Sequence, residues 1–161
     1  MALSAQIALS IIAHETTSGD LSSQMRVTPS TFAMMLADGT GANQAQVAWS
    51  DSYAWTDGTS VPYLLYGLPD DRGTLALSAL KVLYIKNKGT TPILVNVTSF
   101  ATAPIQNGGK VEVQGGGAAV FIAPTAGGWA VGGASSMTIS RATESSSADF
   151  DITFIGEGTI L

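Results

Sequence analysis

Few side chains in this sequence can do chemistry, and they are thinly spread. His14 is the only histidine and there is no cysteine, so a metal site or a Ser–His nucleophile would have to be built around His14 alone. No Gly-x-Ser-x-Gly nucleophile elbow is present. A lone histidine of this kind is read as structural. Asp149 and Asp151 flank Phe150 with the same strand parity, and Asp70 and Asp71 are adjacent in a turn. Paired carboxylates serve acid–base or glycosidic chemistry, and clustered ones hold calcium. The spacing here matches no EF-hand loop, and both pairs are read as solvated strand-face and turn carboxylates. The run Gly39-Thr40-Gly41-Ala42-Asn43-Gln44-Ala45 contains a Gly-x-Gly. A dinucleotide loop needs a third glycine and a helix behind it. The expected reading is a tight turn with glycines at positive φ. No catalytic residue, cofactor or metal is assigned, and the chain is not read as an enzyme.

The aromatic residues carry more information. Trp49, Tyr53 and Trp55 fall in and just before a polar loop. Such residues anchor protein interfaces, stack on sugars, or cap the open end of a sandwich, and sequence leaves these open. Trp129 follows a Gly-Gly pair and is expected to pack inward.

The element expected to organise these residues is Leu80 to Val97, LKVLYIKNKGTTPILVNV. Two apolar β-branched runs flank Asn87–Thr91, which predicts a hairpin at the centre of a β-sandwich. Around it lie short alternating runs: KVEVQ (110–114), AAVFIA (118–123), SMTISR (136–141) and FDITFI (150–155). Turn signals recur at the spacing of sandwiches and barrels, and no helical period stands out. The predicted fold is all-β: a single jelly-roll-like β-sandwich of about ten short strands over residues 31–161. Residues 1–30 form a looser N-terminal arm or outer strand, in which Ile7, Leu9 and Ile11 share one parity.

Composition narrows the partners. The chain of 161 residues is 45% hydrophobic but only 12% charged, which points to surface buried against other chains. Net charge is −5 and the seven basic residues are scattered, which disfavours direct nucleic-acid binding. No run reaches membrane-span length. The N-terminus lacks the positive start of a signal peptide, so folding in a cytoplasm is expected.

Several motifs carry a resemblance. LADGTGANQAQVAWSDSYAW (36–55) is similar to a segment of small virion proteins of tailed bacteriophages, in which a GTGANQAQ-type motif precedes an aromatic residue and an Asp. A strand of the type LKVLYIKN follows a Gly-containing turn, here Asp71-Arg72-Gly73. Gly108-Gly109, the PTAGGW segment from Pro124 to Trp129, and a last strand ADFDITFIGEG from Ala148 to Gly158 come after in the same order. The resemblance spans about residues 36 to 158. It implies a non-enzymatic virion structural protein, assembled in the host cytoplasm. The first expectation is a capsid decoration (cement) protein that binds the major capsid protein as a homo-oligomer, a trimer or dimer. The alternative is a tail or neck component with a receptor- or glycan-binding role. Ile7, Leu9, Ile11 and Ile12 are the candidate docking arm, and Trp49, Tyr53 and Trp55 the candidate subunit contact.

Overall fold

The computed structural model describes residues 2–11, 14–15, 25–26, 30–55, 60–100, 102–106, 108–141 and 149–161. Among them every regular element is a strand. The first five are β1 (Ala5–Ile11), β2 (His14–Glu15), β3 (Met25–Arg26), β4 (Ser30–Asp38) and β5 (Gln44–Ala45). Then come β6 (Val47–Tyr53), β7 (Ser60–Leu64), β8 (Leu68–Asp70), β9 (Gly73–Asn87) and β10 (Ile93–Thr98). The chain closes with β11 (Lys110–Val113), β12 (Ala118–Ile122), β13 (Trp129–Ala130), β14 (Ser136–Arg141) and β15 (Phe150–Ile160).

The strand order identifies the architecture. One sheet runs β12-β9-β15-β6, with short β8 and β13 also pairing β9, and the other runs β11-β10-β14-β7. Let β6, β7, β9, β10, β11, β12, β14 and β15 be the first to eighth strands. The sheets then read 1-8-3-6 and 2-7-4-5, which is the order of a jelly roll. The expected sandwich is therefore present, and the surplus over about ten strands comes from β8, β13 and the N-terminal pieces.

One expectation is corrected. β9 and β10 do not form a hairpin, because β9 pairs β12, β13, β8 and β15 while β10 pairs β11 and β14. The chain arches from one sheet to the other at Asn87–Pro92. Buried Asn87 explains the arch. Its Nδ2 donates to the carbonyls of Thr91 (2.7 Å) and Val113 (3.0 Å), and its Oδ1 accepts from Gly89 N (3.0 Å). These bonds tie the end of β9 to the opposite sheet.

The core fills the space between the sheets. Phe150, Ile152 and Phe154 of β15 alternate inward, as do Val95 and Val97 of β10 and Met137 and Ile139 of β14, all without exposure. Each such side chain contributes about 1.5–3 kcal/mol by leaving water. Trp129 is half-buried and packs against this core.

A third sheet, β1-β4-β5, lies on the outside. β1 and β4 are antiparallel from Ala5↔Leu36 to Ile11↔Ser30, and β2 pairs β3 further along the same two segments. Pairing thus runs across the expected boundary at residues 30 and 31. Met34, Leu36 and Ala45 pack with Val82 of β9, joined by Ile7, Ile122 and Ile155. This third sheet covers part of the outer, apolar face of the six-stranded sheet, which explains why β9 is apolar on both sides.

Candidate functional site

The candidate residues land in different places. Trp49 and Trp55 are buried and Tyr53 is half-buried, all in the main core or against it. Trp49 stacks on Phe154 (centroids 5.5 Å, 20°), meets Tyr63 edge-on (5.7 Å, 70°), and donates from Nε1 to the Pro69 carbonyl at 2.6 Å. Tyr53 stacks on Phe150 and meets Trp55 edge-on, and the Arg141 guanidinium lies 5.2 Å over the Trp55 ring. The rings pack inward along β6, from Phe154 to Phe150 of β15. The surface of both tryptophans is taken up within the protomer. Tyr63 donates its hydroxyl to Asp51 Oδ2 at 2.9 Å, and burial first, then this bond, push its pKa up.

The carboxylate pairs each have structural partners. Asp149 lies just before β15, and its Oδ1 accepts from Trp55 N at 3.2 Å. Asp151 lies on β15 and meets Lys88 Nζ at 2.7 Å. The bond from Lys88, then one from Ser52, hold its carboxyl below the usual range. Asp70 accepts from both the backbone and the guanidinium of Arg72, closing the turn before Gly73. His14 sits opposite Arg26 in β2, with its side chain outside the described residues. Among the described residues no three His, Cys, Asp or Glu side chains gather as metal ligands would.

The GTGANQA run is a self-capping turn. Gly39 has φ +136° and Asn43 takes the second left-handed position at +56°. Gln44 folds back so that its Oε1 accepts from Gly41 N at 2.7 Å. A Cβ on Gly39 would stand 2.5 Å from that same oxygen. Asn43 N donates to the Pro124 carbonyl, and Ala45, beside β4 in β5, is buried with Val82, so the turn locks the outer sheet onto the body.

Sequence reading missed the most constrained polar residue. Lys81 is 0% exposed. Ile155 pairs Val82 and Gly156 pairs Leu80, which leaves Lys81 unpaired in a β-bulge; Ser78 is left out likewise between Ala79 and Leu77. Each bulge shifts parity, so Leu77, Leu80 and Leu83 all reach one core. The lysine turns sideways under the loop of residues 124–128. Its Nζ donates to the Thr125 carbonyl (2.5 Å) and the Ala126 carbonyl. Glu157 Oε1 lies 2.9 Å away, an ionic contact that does not meet hydrogen-bond geometry. Gly156 is required here: a Cβ would stand 2.0 Å from the Ala79 carbonyl oxygen. Three stretches that carry the resemblance, LKVLYIKN, PTAGGW and FIGEG, thus converge on one clamp. The signal was a lysine, Lys81, set between apolar runs near the middle of β9.

The remaining feature is a groove of about 810 Å³ between the outer sheet and the body. Four consecutive β1 residues, Gln6–Leu9, form one wall, and the floor includes Val82, Tyr84, Val120 and Ile155. Ile7 is half-buried and packs on the body, but its neighbour on the same face, Leu9, is 51% exposed. Phe32, opposite Leu9 on β4, is 45% exposed. The apolar stripe of the arm therefore runs on past its own cover. Ile11 ends β1 with its side chain outside the described residues, and Ile12 lies outside them altogether.

No protein-family model, curated protein or solved structure matches this chain.

Proposed function

We propose that this chain is a structural component of a tailed-phage particle: a decoration protein that binds the assembled head shell through the major capsid protein. The observation that carries the proposal is the N-terminal arm, a strand pair whose root is fixed on a jelly roll and whose apolar face continues uncovered at Leu9 and Phe32. A two-stranded ribbon alone is marginal in water and gains stability by lying on a surface. The jelly-roll order supports the reading by analogy, since this architecture serves in viral capsids and also in lectins. The low charged fraction supports it by composition. Binding would come from modest apolar contacts repeated over the shell, with avidity from self-association.

A second reading, a tail or neck component that binds a glycan, draws on another place. Ser50, Ser52, Tyr84, Asp151 and Thr153 line a shallow hollow on the outer face of β6, β9 and β15. Hydroxyls and a carboxylate beside a phenol ring suit a sugar.

Cryo-electron reconstruction of particles that carry this chain tests both. Many copies spread over the shell, arms seated on capsid subunits, is the expected result. A few copies at one vertex or along the tail overturns decoration in favour of the second reading. Absence from the particle overturns both.

A further inference from the structure

We infer that the free edge of β1 pairs antiparallel with β1 of a second copy, about a two-fold axis at Ala8, so that each arm lies over the other copy's groove. The inference rests on the arm as an uncovered element and not on the particle.

The edge is the first observation. Among the described residues β1 has a partner only on its β4 side. Soluble proteins guard such edges with charge, proline or bulges. From Met1 to His14 there is no Asp, Glu, Lys, Arg or Pro, and the β1–β4 register runs without a shift. The bare edge faces the groove, since both parities of β1 from Gln6 to Leu9 line it.

The second observation selects the occupant. The root of the arm, Ala5 and Ile7, packs on its own body, while Leu9 is outside that cluster and 51% exposed. Beside the root the apolar floor is partly open, with Val120 40% exposed. Antiparallel pairing about position 8 sets 7 opposite 9 and 6 opposite 10. Each exposed Leu9 then comes beside the other copy's root, above the open part of the floor. The surplus of one protomer is the deficit of the next, which is the self-complementarity an isologous two-fold interface requires. Charge agrees. Each copy carries −5, yet no ionised side chain lines the groove, so like-charged copies meet there without repulsion.

The test uses Gln6 and Ser10, which are exposed and, by strand alternation, lie on the face of β1 opposite Ile7 and Leu9. In the proposed register Gln6→Lys/Ser10→Lys puts lysines opposite each other twice, whereas Gln6→Lys/Ser10→Glu puts lysine opposite glutamate twice. Sedimentation velocity of the full chain over a dilution series reads the mass, and circular dichroism checks that each variant is folded. The expected wild-type species is a dimer, twice the 16.5 kDa chain mass. The Lys/Lys variant should dimerise at least about tenfold more weakly, and the Lys/Glu variant should regain the wild-type dimer. A monomeric wild type overturns the inference and leaves the edge to another protein. A Lys/Lys dimer of undiminished affinity, or a Lys/Glu variant as weak as Lys/Lys, overturns it too. Shell binding is read on particles and the dimer in free solution, so either can fail alone.

Discussion

Strands β9 and β15 carry two lysine–carboxylate contacts, one at the middle of their ladder and one at its end. At the middle Lys81 and Glu157 stand 2.9 Å apart, with side chains 0% and 15% exposed. At the end Lys88, just past β9, meets Asp151 at 2.7 Å, with both side chains 36% exposed. The shorter contact is the weaker one. Around Lys88 water competes for both ions and screens them. Around Lys81 it does not, and the ammonium also satisfies the Thr125 and Ala126 carbonyls. The buried contact fixes two bulges, a loop and the parity of the longest strand; the exposed one decorates a strand end.

Removing the buried cation should have the largest effect. Lys81→Ala leaves Glu157 without its counter-ion and two carbonyls without a donor, so urea unfolding should show a loss of about 3–5 kcal/mol. A Lys81→Met/Glu157→Gln double variant should recover a good part of it, because an apolar stem can fill the volume once the charge is gone. If Lys81→Ala costs less than about 1 kcal/mol, burial does not separate the two contacts and the comparison collapses.

Backbone fit at the buried contact comes next. Gly156→Ala drives a Cβ to 2.0 Å from the Ala79 carbonyl oxygen, and the strands must part to admit it. A loss of about 2–4 kcal/mol is expected on unfolding. Gly116→Ala, in open space but at φ +73°, isolates the conformational share of such a change and should cost about 1 kcal/mol. Equal losses would mean that the bulge tolerates a side chain. At the exposed end, Asp149→Ala strips the acceptor from Trp55 N and should cost about 1 kcal/mol.

These two places also mark what sequence can and cannot disclose. The jelly-roll class was legible because inward residues alternate cleanly along β10, β14 and β15 and turn clusters bound each run. The arch after Asn87 was not, since a Gly-containing loop between two apolar strands looks the same whether the strands pair or face each other across a core. What decides it is a buried amide bonding to Val113, a residue 26 positions away. The clamp was hidden for a similar reason. Strict alternation cannot anticipate bulges at Ser78 and Lys81, and each reverses the parity of all that follows. Trp49, Tyr53 and Trp55 were visible as a group. Their burial depends on β15 lying alongside β6, a pairing of residues about a hundred positions apart.

The smallest effect belongs to the exposed pair, and pH gives it a direction. The bonds from Lys88 and Ser52 hold the Asp151 carboxyl below its ordinary pKa in the folded state. A depressed folded pKa means the unfolded chain binds the proton more tightly. The pair's contribution is therefore present above the unfolded aspartate value of about 3.9 and is lost as pH falls through the folded value. Lys88→Ala should cost at most about 0.5–1 kcal/mol at neutral pH, after screening, and the gap to wild type should close on acidification. Molar salt should narrow it at neutral pH as well, since the ions stand in water. Lys81→Ala, measured alongside, should keep most of its deficit in salt, because no counter-ion reaches a lysine with no exposed surface. If salt erases both deficits equally, the clamp is a surface pair in energetic terms, and the two contacts differ only in how they look.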